Sequence, residues 1–219
     1  MSVSTFNGQR LQQDLSDVTV NATDVDPSTV NKVKGWLRSG TTAIASLASR
    51  YAHKTGLGFS ALKSYFTGRE YDLRPLEELG VGGYFNPGDG KIVLNSRLIN
   101  RDPAFVREAS VHEGLHNYRW LNGSMERLGR GLRNTFSYLG GFGDAVASYV
   151  QRIYEEAAAT RLTKKAYALM GMGTDVKGYS SLQPAFARIE RQVGEERLFY
   201  NEERDGPLIA NVVLSAMSA

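Results

Sequence analysis

The sequence predicts an α+β protein, mostly helical, with a small β-sheet or hairpin. Three observations predict it. Apolar residues recur at three- and four-residue steps over several long stretches, the mark of helices with a buried face. Two short apolar runs flank the turn-forming segment Asn86-Pro87-Gly88-Asp89-Gly90, the mark of a β-hairpin. Hydrophobic residues make up 42% of 219 positions, enough to bury a core.

The elements follow in order. Residues 1–28 are rich in Ser, Thr, Asp and Asn and read as a flexible polar leader, with residues 29–219 as one domain. From Ser28 to His53, Val30, Val33, Leu37, Ile44, Leu47 and Tyr51 recur at helical spacing. Phe59 to Phe66 reads as a second short helix, and His53 as an interaction at the end of the first. Residues 79–102 carry the hairpin, whose second strand is Lys91-Ile92-Val93-Leu94-Asn95. Asp102-Pro103 begins the next helix, since Asp can accept hydrogen bonds from free N–H groups and Pro suits the first helical position. That helix runs to about Leu121 and stops at Asn122-Gly123. Residues 123–143 hold six glycines and read as a mobile loop. A long helix follows from Asp144 to about Met170, ended by Gly171 and Gly173, and another covers Gln183 to Val193. The apolar run Leu208 to Met217 closes the chain.

Composition narrows the function classes. There is no cysteine, which removes disulfide scaffolds, thiol nucleophiles and thiolate-bound zinc, so a metal site must use His, Asp or Glu. No apolar run is long enough to span a bilayer, and no membrane partner is expected. The polar start lacks the pattern of a secretory signal, so synthesis in the cytoplasm is expected, with signal-independent, effector-like secretion left open. The net charge is only +3. Its one concentration is Arg119, Arg127, Arg130 and Arg133. No aromatic-interleaved recognition motif accompanies them, so nucleic acid is not the favoured partner.

The chain has three histidines, and two of them form His112-Glu113-Gly114-Leu115-His116. On a helix, residues i and i+4 share a face one turn apart, so both imidazoles can reach one metal ion. Glu113 is rotated about 100° from His112 and lies beside such an ion, where it can take a proton from water. Catalytic zinc takes three protein ligands. The downstream helix offers Glu155-Glu156-Ala157-Ala158-Ala159-Thr160. By periodicity Glu156 lines up with Tyr149, Ile153 and Thr160, while Glu155 shares its row with Gln151 and Arg152 and faces outward more. Glu156 is therefore the preferred third ligand. Asp144, at the helix start, is better explained by capping.

Over about residues 82–165 the chain resembles the zincin metallopeptidases, specifically the gluzincin branch that includes thermolysin. The resemblance rests on the strand 91–95, the helix with His112-Glu113-Gly114-Leu115-His116, and the helix with Tyr154-Glu155-Glu156-Ala157-Ala158. It implies a zincin-like domain whose small sheet edges an active-site cleft. It also implies Zn2+ held by His112, His116 and Glu156, Glu113 as general base, and a protein or peptide substrate paired to Ile92, Val93 and Leu94. The metzincin pattern is absent, because Arg119 and Asn122 stand where it needs Gly and His. Thr160 stands where thermolysin-like chains carry an acidic residue. Compact bacterial zincins, type III secreted effector peptidases among them, are closer in size. No histidine follows His116, so the oxyanion donor expected in this branch falls to a tyrosine or an arginine, with Tyr149, Tyr179 and Tyr200 as the tyrosine candidates. The alternatives are a zincin-fold binding protein without catalysis, a metal-dependent hydrolase of another bond, and a nucleic-acid module using Arg119 to Arg133.

Overall fold

A computed structural model describes residues 18–51, 69–77, 80–173 and 179–218. It is mostly helical with one small mixed sheet, as the pattern of the sequence predicts. The chain divides into two compact units, Met1–Asn117 with Lys165–Thr174, and Tyr118–Lys164 with Asp175–Ala219. Two of the boundaries, after Asn117 and after Lys164, fall inside helices rather than at a linker. The expected short helix at 59–66, His53 and residues 1–17 lie outside the described residues.

In the first unit, β1 (Thr19–Ala22), β2 (Glu70–Arg74), β3 (Gly83–Asn86) and β4 (Lys91–Asn95) form a sheet of order β1-β2-β4-β3. The first three neighbours run parallel and β3 runs antiparallel to β4. The end of the expected leader is thus part of the fold, since Thr19 to Ala22 pair with Glu70 to Leu73. Its alternating polar side chains concealed this, because β1 lies at a sheet margin. The hairpin turns at Asn86–Gly90, where Gly90 has φ 72° and its N–H donates to the Asn86 carbonyl.

Helix α1 (Pro27–Ser49) begins where Asp26 accepts from the Thr29 N–H at 2.9 Å. Helix α2 (Pro103–Leu121) begins in the same way, with Asp102 accepting from the Phe105 N–H at 3.1 Å. One core joins Val33 and Leu37 of α1, Tyr71, Leu73, Ile92 and Leu94 of the sheet, and Val106 of α2. Glycines let α2 lie close to its neighbours. A Cβ on Gly40 would come within 2.8 Å of Val111, and one on Gly82 within 2.9 Å of Ala109.

The second unit holds the end of α2, helix α3 (Ser124–Phe136), most of α4 (Gly141–Leu169), and α5 (Gln183–Val193), α6 (Glu195–Phe199) and α7 (Gly206–Met217). Helix α3 corrects the expectation of a mobile loop at 123–143. Its glycines are packing devices: Leu128, Gly129, Gly131 and Leu132 are buried, and a Cβ on Gly131 would meet the Glu203 carbonyl oxygen at 2.0 Å. A Cβ on Gly206, the first residue of α7, would likewise lie 2.4 Å from the Gly131 carbonyl carbon, so the backbones of α3 and the start of α7 touch directly. Intrinsic propensity, which disfavours glycine in helices, loses here to tertiary contact.

Two glycine substitutions should move stability in opposite directions. Gly131→Ala should destabilise by about 1–3 kcal/mol through overpacking. Gly35→Ala, in open space on α1, should stabilise by roughly 0.5–1 kcal/mol through helix propensity. Denaturant unfolding measures both, and a neutral Gly131→Ala would contradict the close approach.

Candidate metal centre

Helix α2 carries the histidines, and its polar residues are deeply placed. Every residue from Glu108 to Arg119 is buried except Glu113, which is half-buried. His112 and His116 stand one turn apart with their Nε2 atoms 3.1 Å apart and their rings at 73° to each other. Whether that spacing holds a hydrogen bond depends on the tautomer of each ring. Two nitrogens on one tetrahedral zinc ion, each at about 2.0–2.1 Å, would lie roughly 3.3 Å apart. The observed spacing is close to that requirement.

Helix α4 supplies the carboxylate. Ligand atoms of His112, His116 and Glu156 all lie within 4.8 Å of one another, the one such group of three among the described residues. Two imidazoles and one carboxylate form an N/O donor set of the kind that binds zinc, and three is the number of protein ligands a catalytic zinc takes.

The neighbouring carboxylates have different surroundings. Glu155 does not face outward as its polar row suggested. It is 5% exposed and accepts from Arg119 Nε and Nη2 at 2.6 and 2.8 Å. The periodicity was misleading because α4 is buried almost all round between Tyr154 and Thr163, so both glutamates face inward. Asp144 lies in the first turn of α4, where a negative charge suits the helix dipole.

Glu113 is held from the sheet. The Phe85 N–H of β3 donates to Glu113 Oε2 at 2.9 Å. This contact fixes one oxygen of the carboxylate. It also shows which strand borders the helix. The expectation assigned the open strand edge to Ile92, Val93 and Leu94, but β4 is paired on one side to β2 and on the other to β3. All three residues are buried, at 1%, 1% and 0% exposure. The sheet margin beside Glu113 belongs to β3. Sequence spacing made β4 the natural choice, since it directly precedes the helix, but it carries no information on strand order.

Three of the four arginines of that concentration are engaged by other groups of the protein. Arg119 is fully buried against Glu155. Arg127 donates to the carbonyls of Asn201 and Asn122 and lies over the Tyr200 ring at 4.4 Å. Arg130 pairs with Glu126 and Glu203. Arg133 is exposed. Of the expected oxyanion donors, Tyr200 is engaged by Arg127, and Tyr149 and Tyr179 are 50% and 44% exposed.

No family model, curated protein or solved structure matches the chain. What the centre can do follows from its residues: three ligand groups converge, and a fourth, acidic side chain stands next to the first of them.

The contact between Glu113 and β3 can be tested by amide exchange. In Glu113→Ala the Phe85 amide should exchange about tenfold faster, the loss of one charge-assisted hydrogen bond. The amides of Ile92 to Leu94 should keep their protection. Unchanged exchange at Phe85 would show that the carboxylate does not hold the strand.

Proposed function

We propose that this chain is a zinc-dependent peptidase. His112, His116 and Glu156 hold the metal, and Glu113 is the general base. The observation that carries the reading is the convergence of these ligands. An i,i+4 histidine pair on one helix meets a carboxylate borne by another, 40 residues beyond His116. The pair alone would bind metal weakly, and the third ligand makes the set sufficient.

Zinc supplies Lewis acidity and a water of lowered pKa when bound at such a centre. The rest of the chemistry falls to the chain. Glu113 has one oxygen occupied by the Phe85 N–H, and its other oxygen is the group that takes a proton from water and passes it to the leaving amine. Holding the carboxylate from the sheet reduces the reorganisation needed at that step. The sheet margin nearest Glu113 is the outer strand β3, and an outer strand is the kind of element to which an extended peptide adds, which favours a peptide substrate over a small compact one.

The proposal has a direct test. Purified protein should bind one zinc ion, and His116→Ala should abolish that binding. Glu113→Gln should keep the zinc and lower the cleavage rate of a peptide library by about 100-fold or more. Zinc binding without any cleavage by the wild type would leave a metal-binding protein, and no zinc binding would remove the whole reading.

A further inference from the structure

The buried pair Arg119–Glu155 is not used by the chemistry above, yet it sits within one helical turn of two of its ligands. Arg119 is three residues after His116, and Glu155 directly precedes Glu156. Arg119 is 0% exposed and makes two parallel bonds to Glu155, Nε to Oε2 at 2.6 Å and Nη2 to Oε1 at 2.8 Å. Its Nη2 also donates to Asn201 Oδ1 at 2.7 Å, and its Nη1 to the Leu198 carbonyl. The Asn201 amide reaches the Tyr154 hydroxyl at 3.3 Å, and that hydroxyl donates to the Arg197 carbonyl at 2.6 Å. Burial pushes the Tyr154 phenol above its ordinary pKa, so it stays a donor. Burial also opposes the charge of Arg119, but the Glu155 carboxylate more than offsets it and keeps the guanidinium protonated.

We infer that Arg119 and Glu155 are positioning residues that orient Glu156 toward the histidines. The inference rests on the metal-centre reading above. A bidentate arginine–carboxylate pair fixes orientation as well as distance. With Glu155 fixed, α4 cannot rotate about its axis, and the next side chain, about 100° around, has a set direction. The same pair neutralises Glu155, so that it does not compete with Glu156 for the metal. Stability alone does not account for the pair. Desolvation of two charges absorbs most of their attraction, and apolar replacements of similar size are often no less stable.

That last property supplies the experiment. The double variant Arg119→Met/Glu155→Leu should fold and unfold cooperatively by circular dichroism. Its zinc affinity, measured by competition with a chromogenic chelator, should fall about 10–100-fold, as for other groups that support metal ligands. The visible bands of the cobalt-substituted protein should weaken, reporting a distorted tetrahedral centre. A folded double variant with wild-type zinc affinity and cobalt spectrum overturns the inference while leaving the metal centre standing. A wild type that binds no zinc overturns the metal centre itself, and this inference with it. Where the double variant does not fold, Glu155→Gln carries the test. It keeps the shape and one acceptor but loses the charge, and its affinity should fall about tenfold. Unchanged affinity in that variant overturns the inference.

Discussion

Helix α2 is buried on nearly its whole circumference while carrying Glu108, His112, His116, Asn117 and Arg119. That constraint governs what packs around it. A buried polar group without a partner costs free energy on the order of 1–3 kcal/mol, and a buried charge costs more. Each polar side chain of α2 therefore requires a feature elsewhere. Asn117 donates to the Gly90 carbonyl at the hairpin turn, Glu113 takes the Phe85 N–H, and Arg119 takes Glu155. The sheet is fitted to α2 through the first two of these contacts as much as through the apolar core. Glycine at positions 40, 82 and 114 permits the close approach that such short bonds need, Gly114 with Ile44 only 3.1 Å from where its Cβ would be.

Much of this was legible in the sequence, for local reasons. Asp102-Pro103 marked the start of α2, and Asn122-Gly123 its end, because capping and left-handed backbone depend on residues adjacent in the chain. The hairpin was legible because turn chemistry is local too. The spacing of His112 and His116 was enough to place both rings on one side. What was not legible depends on pairing at a distance. Strand order places β3, rather than β4, at the sheet margin, and no feature of residues 91–95 encodes that. Helix α3 was hidden because glycine count was read as backbone freedom, whereas Gly131 is required by the contact with Glu203. Periodicity preferred Glu156, but its description of Glu155 as outward failed because burial all round erases the contrast between faces. The missing signal lay 36 residues away, in Arg119.

The adjacent glutamates show how one chemical group acquires two roles from its surroundings. Glu155 has a guanidinium bonded along both of its oxygens, and that fixed positive charge opposes a second cation there. Glu156 is less buried and lies by two imidazoles. Had Glu155 been the residue near the histidines, Arg119 would have placed a fixed positive charge against the metal. At 4 Å two like charges repel by about 4 kcal/mol at an effective dielectric constant near 20, and a divalent ion doubles that. In the proposed centre, pairing the arginine with Glu155 avoids that cost and would leave the Glu156 carboxylate to balance the charge of a bound metal. The sequence Glu155-Glu156 thus sets one carboxylate in a buried ion pair and the other beside two imidazoles, and only the partners around each distinguish them.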